Sequence, residues 1–296
     1  MNSLEVTKPV RLPAYLLKKI QLGGETFRLK KFIRQASLNT VCEQALCPNI
    51  TECFRRGELT FLIMGKVCTR DCGFCGITSG RPQPLDPEEP EKLAAAAERL
   101  KLRYAVITSV TRDDLPDGGA GHFAACVSVL RKRLPGVNIE LLIPDFQGNV
   151  SALNTVLRSR PDVLAHNLET GERLYPRVRP RSDYRRSLRL LAEVKKHSPG
   201  IVTKSGFMAG LGETDEEIRE LMEKIRESGV AILTIGHYLP PTSRHLPLEE
   251  PRPPEKFQEY ARWAKELGFA AVSAGIFVRS SYRAGELLKI AQNKTT

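Results

Sequence analysis

Six of the seven cysteines fall in two groups of three between residues 42 and 75, a clustering that suits metal ligation better than a disulfide framework. The later group, Cys68-Thr-Arg-Asp-Cys72-Gly-Phe-Cys75, has the spacing C-x3-C-x2-C. Three thiolates so spaced can hold three irons of a 4Fe-4S cluster and leave the fourth iron open to a small molecule. A structural zinc knuckle is the competing reading, but such sites take four ligands in paired spacing and keep no vacant position. The earlier group, Cys42, Cys47 and Cys53, has the spacing C-x4-C-x5-C. Three thiolates again cannot close a four-iron cube, so a fourth ligand must come from elsewhere in the chain or from a small molecule. Cys126, in the apolar stretch FAACVSVL, reads as a small core residue. His122, His197 and His245 show no metal-ligand spacing and stay unassigned.

The elements that must position these thiols follow from hydrophobic patterning. After Leu59, short β-branched runs alternate with amphipathic segments, the pattern of repeated βα units closing a parallel sheet. Seven candidate strands cover 59–65, 104–110, 138–144, 163–169, 201–210, 231–239 and 269–275, with room for a crossover helix between each pair. Ile218, Leu221, Met222 and Ile225 share one helix face, and Thr214 with Glu217 forms a capping-box pair ahead of it. Leu93, Ala96, Ala97 and Leu100 line a second helix, and Phe257, Tyr260, Ala261 and Ala264 a third. Six or seven βα units in this length predict an α/β fold of the partial (β/α)6 TIM-barrel type, with function at the strand C-terminal ends. The division predicted is an N-terminal extension over 1–58 carrying the first triplet, a barrel over 59–275, and a short C-terminal extension over 276–296. The proline-rich stretch 240–254 is long for a βα loop and is expected to cover the site.

A formal charge of +11 draws acidic partners of any kind. The arginines dense between Arg173 and Arg189 read equally as a solvated helix face or as a docking or cofactor surface. No apolar stretch is long enough to cross a bilayer, and the opening residues lack a cleavable signal, so no membrane role and a cytoplasmic location are expected.

The C-x3-C-x2-C run after the first strand resembles the radical S-adenosylmethionine enzymes, whose open iron chelates that cofactor. The paired triplets, with Cys47-Pro-Asn inside the first, and Arg279-Ser280-Ser281-Tyr282 near the end resemble the lipoyl synthase family from about Arg11 to Ala284. The resemblance implies two 4Fe-4S clusters and S-adenosyl-L-methionine as cofactors. Cys68, Cys72 and Cys75 would ligate the radical cluster. Cys42, Cys47 and Cys53 would ligate an auxiliary cluster with Ser281 as its fourth ligand; an isolated R-S-S-Y would otherwise read as a helix N-cap. Ser109, Asp113 and Asp114 are implied at the cofactor's amino group, although an acidic pair there also reads as a helix cap. His166, Asn167 and Glu169 resemble the groups that meet the ribose. Lys204, Arg177 and Arg179 are plausible partners for the cofactor carboxylate, and Gly206 to Glu213 resembles the segment that supports adenine. Two departures from the family pattern stand out: Gly275-Ile-Phe-Val278 replaces Gly-Pro-Leu-Val, and His237 replaces a glutamine.

The implied activity is insertion of two sulfurs at the sixth and eighth carbons of a protein-bound octanoyl-lysine. Implied partners are octanoylated lipoyl carrier domains or the glycine-cleavage H protein, an electron donor such as ferredoxin or flavodoxin, and an iron–sulfur cluster carrier; no nucleic acid is expected. Two alternatives remain at this point: another radical sulfur-inserting enzyme, such as one methylthiolating RNA, and a non-catalytic metal-binding module.

Overall fold

The computed structural model describes residues 12–18 and 23–294; the first eleven residues of the predicted N-terminal extension and the last two of the C-terminal one lie outside them. Helix α1 (Gly24–Gln35) and a two-residue strand β1 (Asn39–Thr40) open the fold. Strands β2 (Thr60–Ile63), β3 (Tyr104–Ser109), β4 (Asn138–Leu142), β5 (Val163–Ala165), β6 (Val202–Ala209), β7 (Ile232–His237) and β8 (Ala271–Gly275) match the seven predicted. They alternate with α2 (Glu89–Arg99), α3 (Ala120–Arg133), α4 (Val150–Arg158), α5 (Tyr184–His197), α6 (Asp215–Glu227) and α7 (Pro254–Glu266), so six βα units are followed by a last strand.

The strands lie side by side in chain order, parallel from β2 to β8, with β1 antiparallel on the outer edge of β2. Among the described residues β8 makes no ladder with β2, so the barrel stays open on that side. Apolar helix faces form two cores against the sheet. One, under α2 and α3, includes Leu93, Ala97, Phe123 and Cys126; the other, under α6 and α7, includes Ile218, Leu221, Phe257 and Tyr260. Burial pushes the Cys126 thiol up, as befits a small core residue. The capping box of α6 forms as predicted, with the Thr214 hydroxyl accepting the Glu217 N–H and the Glu217 carboxylate accepting the Thr214 N–H.

A last helix, α8 (Ala284–Asn293), packs Leu287 and Ala291 on Ile232 and Ala271, the first residues of β7 and β8. It therefore covers the N-terminal mouth of the barrel and leaves the other mouth to the loops. Its N-cap is Arg283 in a left-handed conformation with no side-chain cap bond, so neither serine of R-S-S-Y serves as a helix cap. Among the described residues no helix is long and apolar enough to cross a membrane.

Candidate functional site

The second cysteine triplet follows β2 on a turn whose shape is fixed from below. Met64 and Gly65 both take positive φ, and the buried Glu89 carboxylate accepts the Met64 N–H at 2.8 Å while lying 2.7 Å from His122 Nε2. The Cys68 sulfur accepts two backbone N–H groups, from Arg70 at 3.4 Å and Thr111 at 3.3 Å. Cys72 lies against the Arg179 guanidinium; burial raises its thiol, with the arginine opposing. Burial pushes Cys75 up to about 12, against an N–H from Ile77. The proline-rich segment 240–254 lies over this loop, as expected. Leu246 N–H donates to the Gly73 carbonyl at 3.0 Å and His245 Nε2 donates to the Cys75 carbonyl at 3.1 Å. A side chain at position 73 would meet Leu246 at 2.9 Å, so glycine is what lets the segment sit this close. His237 ties it to β7 by accepting the Arg252 N–H at 3.0 Å. The unusual residue at 237 thus has a structural task in this chain.

The first triplet is held by the far end of the chain. Cys42 lies in a short turn of helix, Val41–Gln44, capped by Thr40, and Cys53 in another, Ile50–Arg55. Over them passes the segment 277–286. Asn49 Nδ2 donates to the Phe277 carbonyl at 2.6 Å, Tyr282 OH donates to Glu52 at 2.7 Å, and Arg56 pairs with Glu286 at 2.6 Å. The Thr60 hydroxyl donates to Ser281 Oγ at 2.8 Å. Gly236 makes room for the crossing, since a Cβ there would sit 2.3 Å from the Val278 carbonyl oxygen. Burial, then the neighbouring Cys47, pushes Cys42 up to about 12; burial and Cys47 do the same to Cys53.

Between the triplets stand the polar groups of the β5 exit. Glu169 adopts φ 70, a left-handed conformation that non-glycine residues hold at a cost and that clusters at functional sites. It accepts a 3.0 Å bond from Asn167, whose own oxygen accepts the Ser280 hydroxyl at 3.2 Å. Burial raises the Glu169 carboxyl, opposed by the charges of Arg179 and Arg279. Arg279 acts on Cys47 as well as on Glu169, so one guanidinium is electrostatically shared between the two regions. Arg179 is buried, donates to the Asn167 carbonyl and Tyr175 OH, and has an Nε with no partner. His166 is occupied differently, with Nδ1 on the Ile143 carbonyl and Nε2 by Ser187.

Several expected cofactor contacts are given other partners by the structure. Lys204 is fully buried near the start of β6 and donates to both oxygens of Glu140, at 2.7 and 3.0 Å. Tyr104 OH reaches the same carboxylate at 2.6 Å, which puts the pair toward the barrel floor rather than at the cofactor carboxylate. Glu213 accepts the Gly210 and Leu211 N–H groups and the Thr170 hydroxyl, and so holds the glycine turn in shape. Asp113 is paired with Arg70 and Asp114 with Arg112, and the start of α3 is served by Asp117. Ser109 ends β3 with a buried, unpartnered Oγ, on the same side of the strand by alternation as Ala105 and Ile107. Arg177 pairs with Glu249 of the proline-rich segment. Sequence reasoning passed over Arg70 and Asp145 and left His245 unassigned.

The donor set fits the groups expected here. Six buried or half-buried thiols stand in two adjacent groups, one after the end of β2 and the other beside its start, with Gly76 of the one loop against Ala45 of the other, and two backbone N–H groups already point at the Cys68 sulfur. Among the described residues no three of His, Cys, Asp and Glu converge as on a single ion; a four-iron cube takes each thiolate on a different iron, so its ligands ring a larger object. The orphaned Nε of Arg179, beside Cys72 and Glu169, leaves a donor for a small anionic ligand next to the second triplet.

A family profile described as the radical SAM superfamily matches residues 62–225. A lipoyl synthase of Caldanaerobacter subterraneus is 52% identical over 283 residues, covering 96% of this chain and 99% of the relative. Another, of Thermus thermophilus, is 53% identical over 92% of this chain and 85% of its own length. The chain belongs to the lipoyl synthase family. As a member, it is a radical S-adenosylmethionine enzyme that inserts sulfur, and its cofactors are 4Fe-4S clusters and S-adenosylmethionine. Among solved structures, SuiB of Streptococcus suis matches with a TM-score of 0.56 at 12% identity, over 74% of this chain and 50% of that one. HydG, a maturase of the FeFe-hydrogenase, matches at 0.53 and 14%, over 88% and 64%. At such identities these two speak for the fold alone.

Proposed function

We propose that Cys68, Cys72 and Cys75 hold the cluster whose open iron takes S-adenosylmethionine, and that Cys42, Cys47, Cys53 and Ser281 hold the auxiliary cluster. The acyl chain of an octanoyl-lysine then enters between them and leaves as a lipoyl group, with sulfur at its sixth and eighth carbons. The carrier is a lipoyl domain or the glycine-cleavage H protein, whose acidic surface suits the excess positive charge of this chain. A ferredoxin- or flavodoxin-type protein supplies electrons, a cluster carrier restores the auxiliary site, and the setting is the cytoplasm. The three-part division at residues 58 and 275 describes how the chain shares these tasks.

When bound, the clusters and S-adenosylmethionine supply the electron, the radical and the sulfur. The residues bind, orient and shield. Arg179 and Glu169, with Asn167, provide opposite charges and an amide at the barrel mouth, suited to the carboxylate, ammonium and hydroxyls of the cofactor. The 240–254 segment keeps water from the second triplet. Ser281 offers an oxygen donor, harder than a thiolate and more readily displaced from iron, which suits a site that must release sulfur.

The observation that supports this most is the seating of the R-S-S-Y segment on the first triplet, with Ser281 Oγ accepting the Thr60 hydroxyl and Tyr282 OH donating to Glu52, next to Cys53. The test is to incubate the anaerobically reconstituted protein with S-adenosylmethionine, a low-potential reductant and an octanoylated carrier peptide. A mass gain corresponding to two sulfurs supports the reading; cofactor cleavage with no sulfur gain contradicts it.

A further inference from the structure

The segment Thr69-Arg70 is joined to the loop after β3 more thoroughly than chain connectivity requires. The Thr69 N–H and its hydroxyl both donate to the Thr111 carbonyl at 3.0 Å, the hydroxyl accepts the Asp113 N–H at 3.1 Å, and the Thr69 carbonyl accepts Arg181 at 2.9 Å. Every polar atom of Thr69 is therefore engaged. Arg70 is 4% exposed, and its guanidinium forks onto Asp113 at 2.8 and 2.9 Å, with Asp145 at 2.6 Å and Ser182 at 3.2 Å. Asp145 is fully buried and is flanked on its other side by Arg186 at 3.2 Å. Two arginines and two aspartates thus form a charge-balanced block beneath the loop with Arg70 and Asp145 desolvated at its centre, and removing either of these strands the other.

What this block holds in place is a pair of backbone dipoles. The N–H groups of Arg70 and Thr111 both end on the Cys68 sulfur, and each belongs to one of the two zipped segments. An N–H dipole aimed at a cluster sulfur stabilises the reduced, more negative state over the oxidised one, which raises the reduction potential. We infer that Thr69, Arg70 and Asp113 are positioning residues that aim two N–H donors at Cys68 and thereby ease the one-electron reduction of the cluster held there by an external low-potential donor. This rests on the reading that Cys68, Cys72 and Cys75 hold a cluster.

The experiment is an EPR-monitored redox titration of the full, anaerobically reconstituted chain. The signal lost in Cys68→Ala identifies the cluster concerned; if Cys68→Ala keeps about eight irons, the underlying cluster reading fails, independently of the inference. In Thr69→Val the midpoint of that cluster should move to a more negative value while the other cluster's midpoint and the iron content stay unchanged. Thr69→Ser, which keeps the hydroxyl, should restore the wild-type value. Full iron content with no shift overturns the inference, as does a fall in iron whose loaded fraction keeps the wild-type midpoint, since that is all a purely structural role predicts. Should Thr69→Val bind no iron at that site, Arg70→Lys decides by the same titration. It keeps the charge but loses the fork on Asp113, so a negative shift supports the inference and an unchanged midpoint overturns it.

Discussion

The two cysteine triplets flank β2 and are secured by different parts of the chain. The second is held by its immediate surroundings: a loop zipped to its neighbour through Thr69 and Thr111, a buried arginine–aspartate block beneath, and the 240–254 segment above. The first is closed across the longest hydrogen-bonded separations among the described residues. Asn49 reaches Phe277, Thr60 reaches Ser281 and Tyr282 reaches Glu52, at 228, 221 and 230 residues apart. One site is thus tied by its own loops and the other by contacts between distant parts of the chain. That difference suits the proposed reaction, in which one cluster is used repeatedly and the other gives up its sulfur.

The comparison breaks most sharply at the thiols. Cys68→Ala should abolish S-adenosylmethionine cleavage and remove about four irons, whereas Cys47→Ala should remove a similar number, leave cleavage intact and abolish sulfur insertion. Iron analysis and a cleavage assay on both variants would show whether the two sites are separable. A second, smaller effect concerns the barrel beneath both. Lys204→Met leaves the buried Glu140 without its ion-pair partner and should cost roughly 3–5 kcal/mol by urea unfolding, while the affinity of the folded fraction for S-adenosylmethionine stays unchanged. A weakened affinity at wild-type stability would return Lys204 to the cofactor site.

Acid should sharpen the contrast next. His166, under the Arg179 side of the mouth, has its pKa lowered to about 4, chiefly by burial and then by Arg179. The unfolded chain takes up this proton near pH 6.5 and the folded chain does so only near 4, so the stabilisation is complete above pH 6.5 and is lost as pH falls toward 4. Between pH 7 and pH 5 the apoprotein should lose about 2 kcal/mol by urea titration. The same slope in His166→Gln would remove this residue from the account. Least of all, His245→Ala deletes the imidazole's bonds to the Cys75 carbonyl and the Thr242 hydroxyl and should cost about 1–2 kcal/mol. Hydrogen exchange should quicken in 240–254 and remain unchanged around Asn49.

Much of this was legible in the sequence because period and spacing are local signals. The seven strands came from β-branched runs bounded by turns, and each is present within a few residues. The 163–169 run is regular strand only to Ala165, but its pairing with β6 continues: Leu168 and Glu169 both donate to the Gly206 carbonyl, and Glu169 bridges Phe207 in a left-handed conformation. The cysteine spacings and the terminal R-S-S-Y carried the site. What stayed hidden was which polar residue takes which partner. Asp113, Asp114, Lys204 and Glu213 all sit near strand ends or on barrel strands and looked available. Their partners, Arg70, Arg112, Glu140 and the Gly210–Leu211 amides, are chosen by side-chain reach across the sheet and around turns, and no periodicity reports that. Arg70 was overlooked because an arginine between two cysteines reads as solvent-facing loop, whereas it is folded under the loop onto Asp145.

We propose that the Ser281 hydroxyl completes the first triplet's site and is needed for sulfur transfer alone. Ser281→Ala, reconstituted anaerobically, should cleave S-adenosylmethionine at close to the wild-type rate and add little or no sulfur to an octanoylated carrier peptide. Dithiolane formation at the wild-type level in that variant would contradict the account.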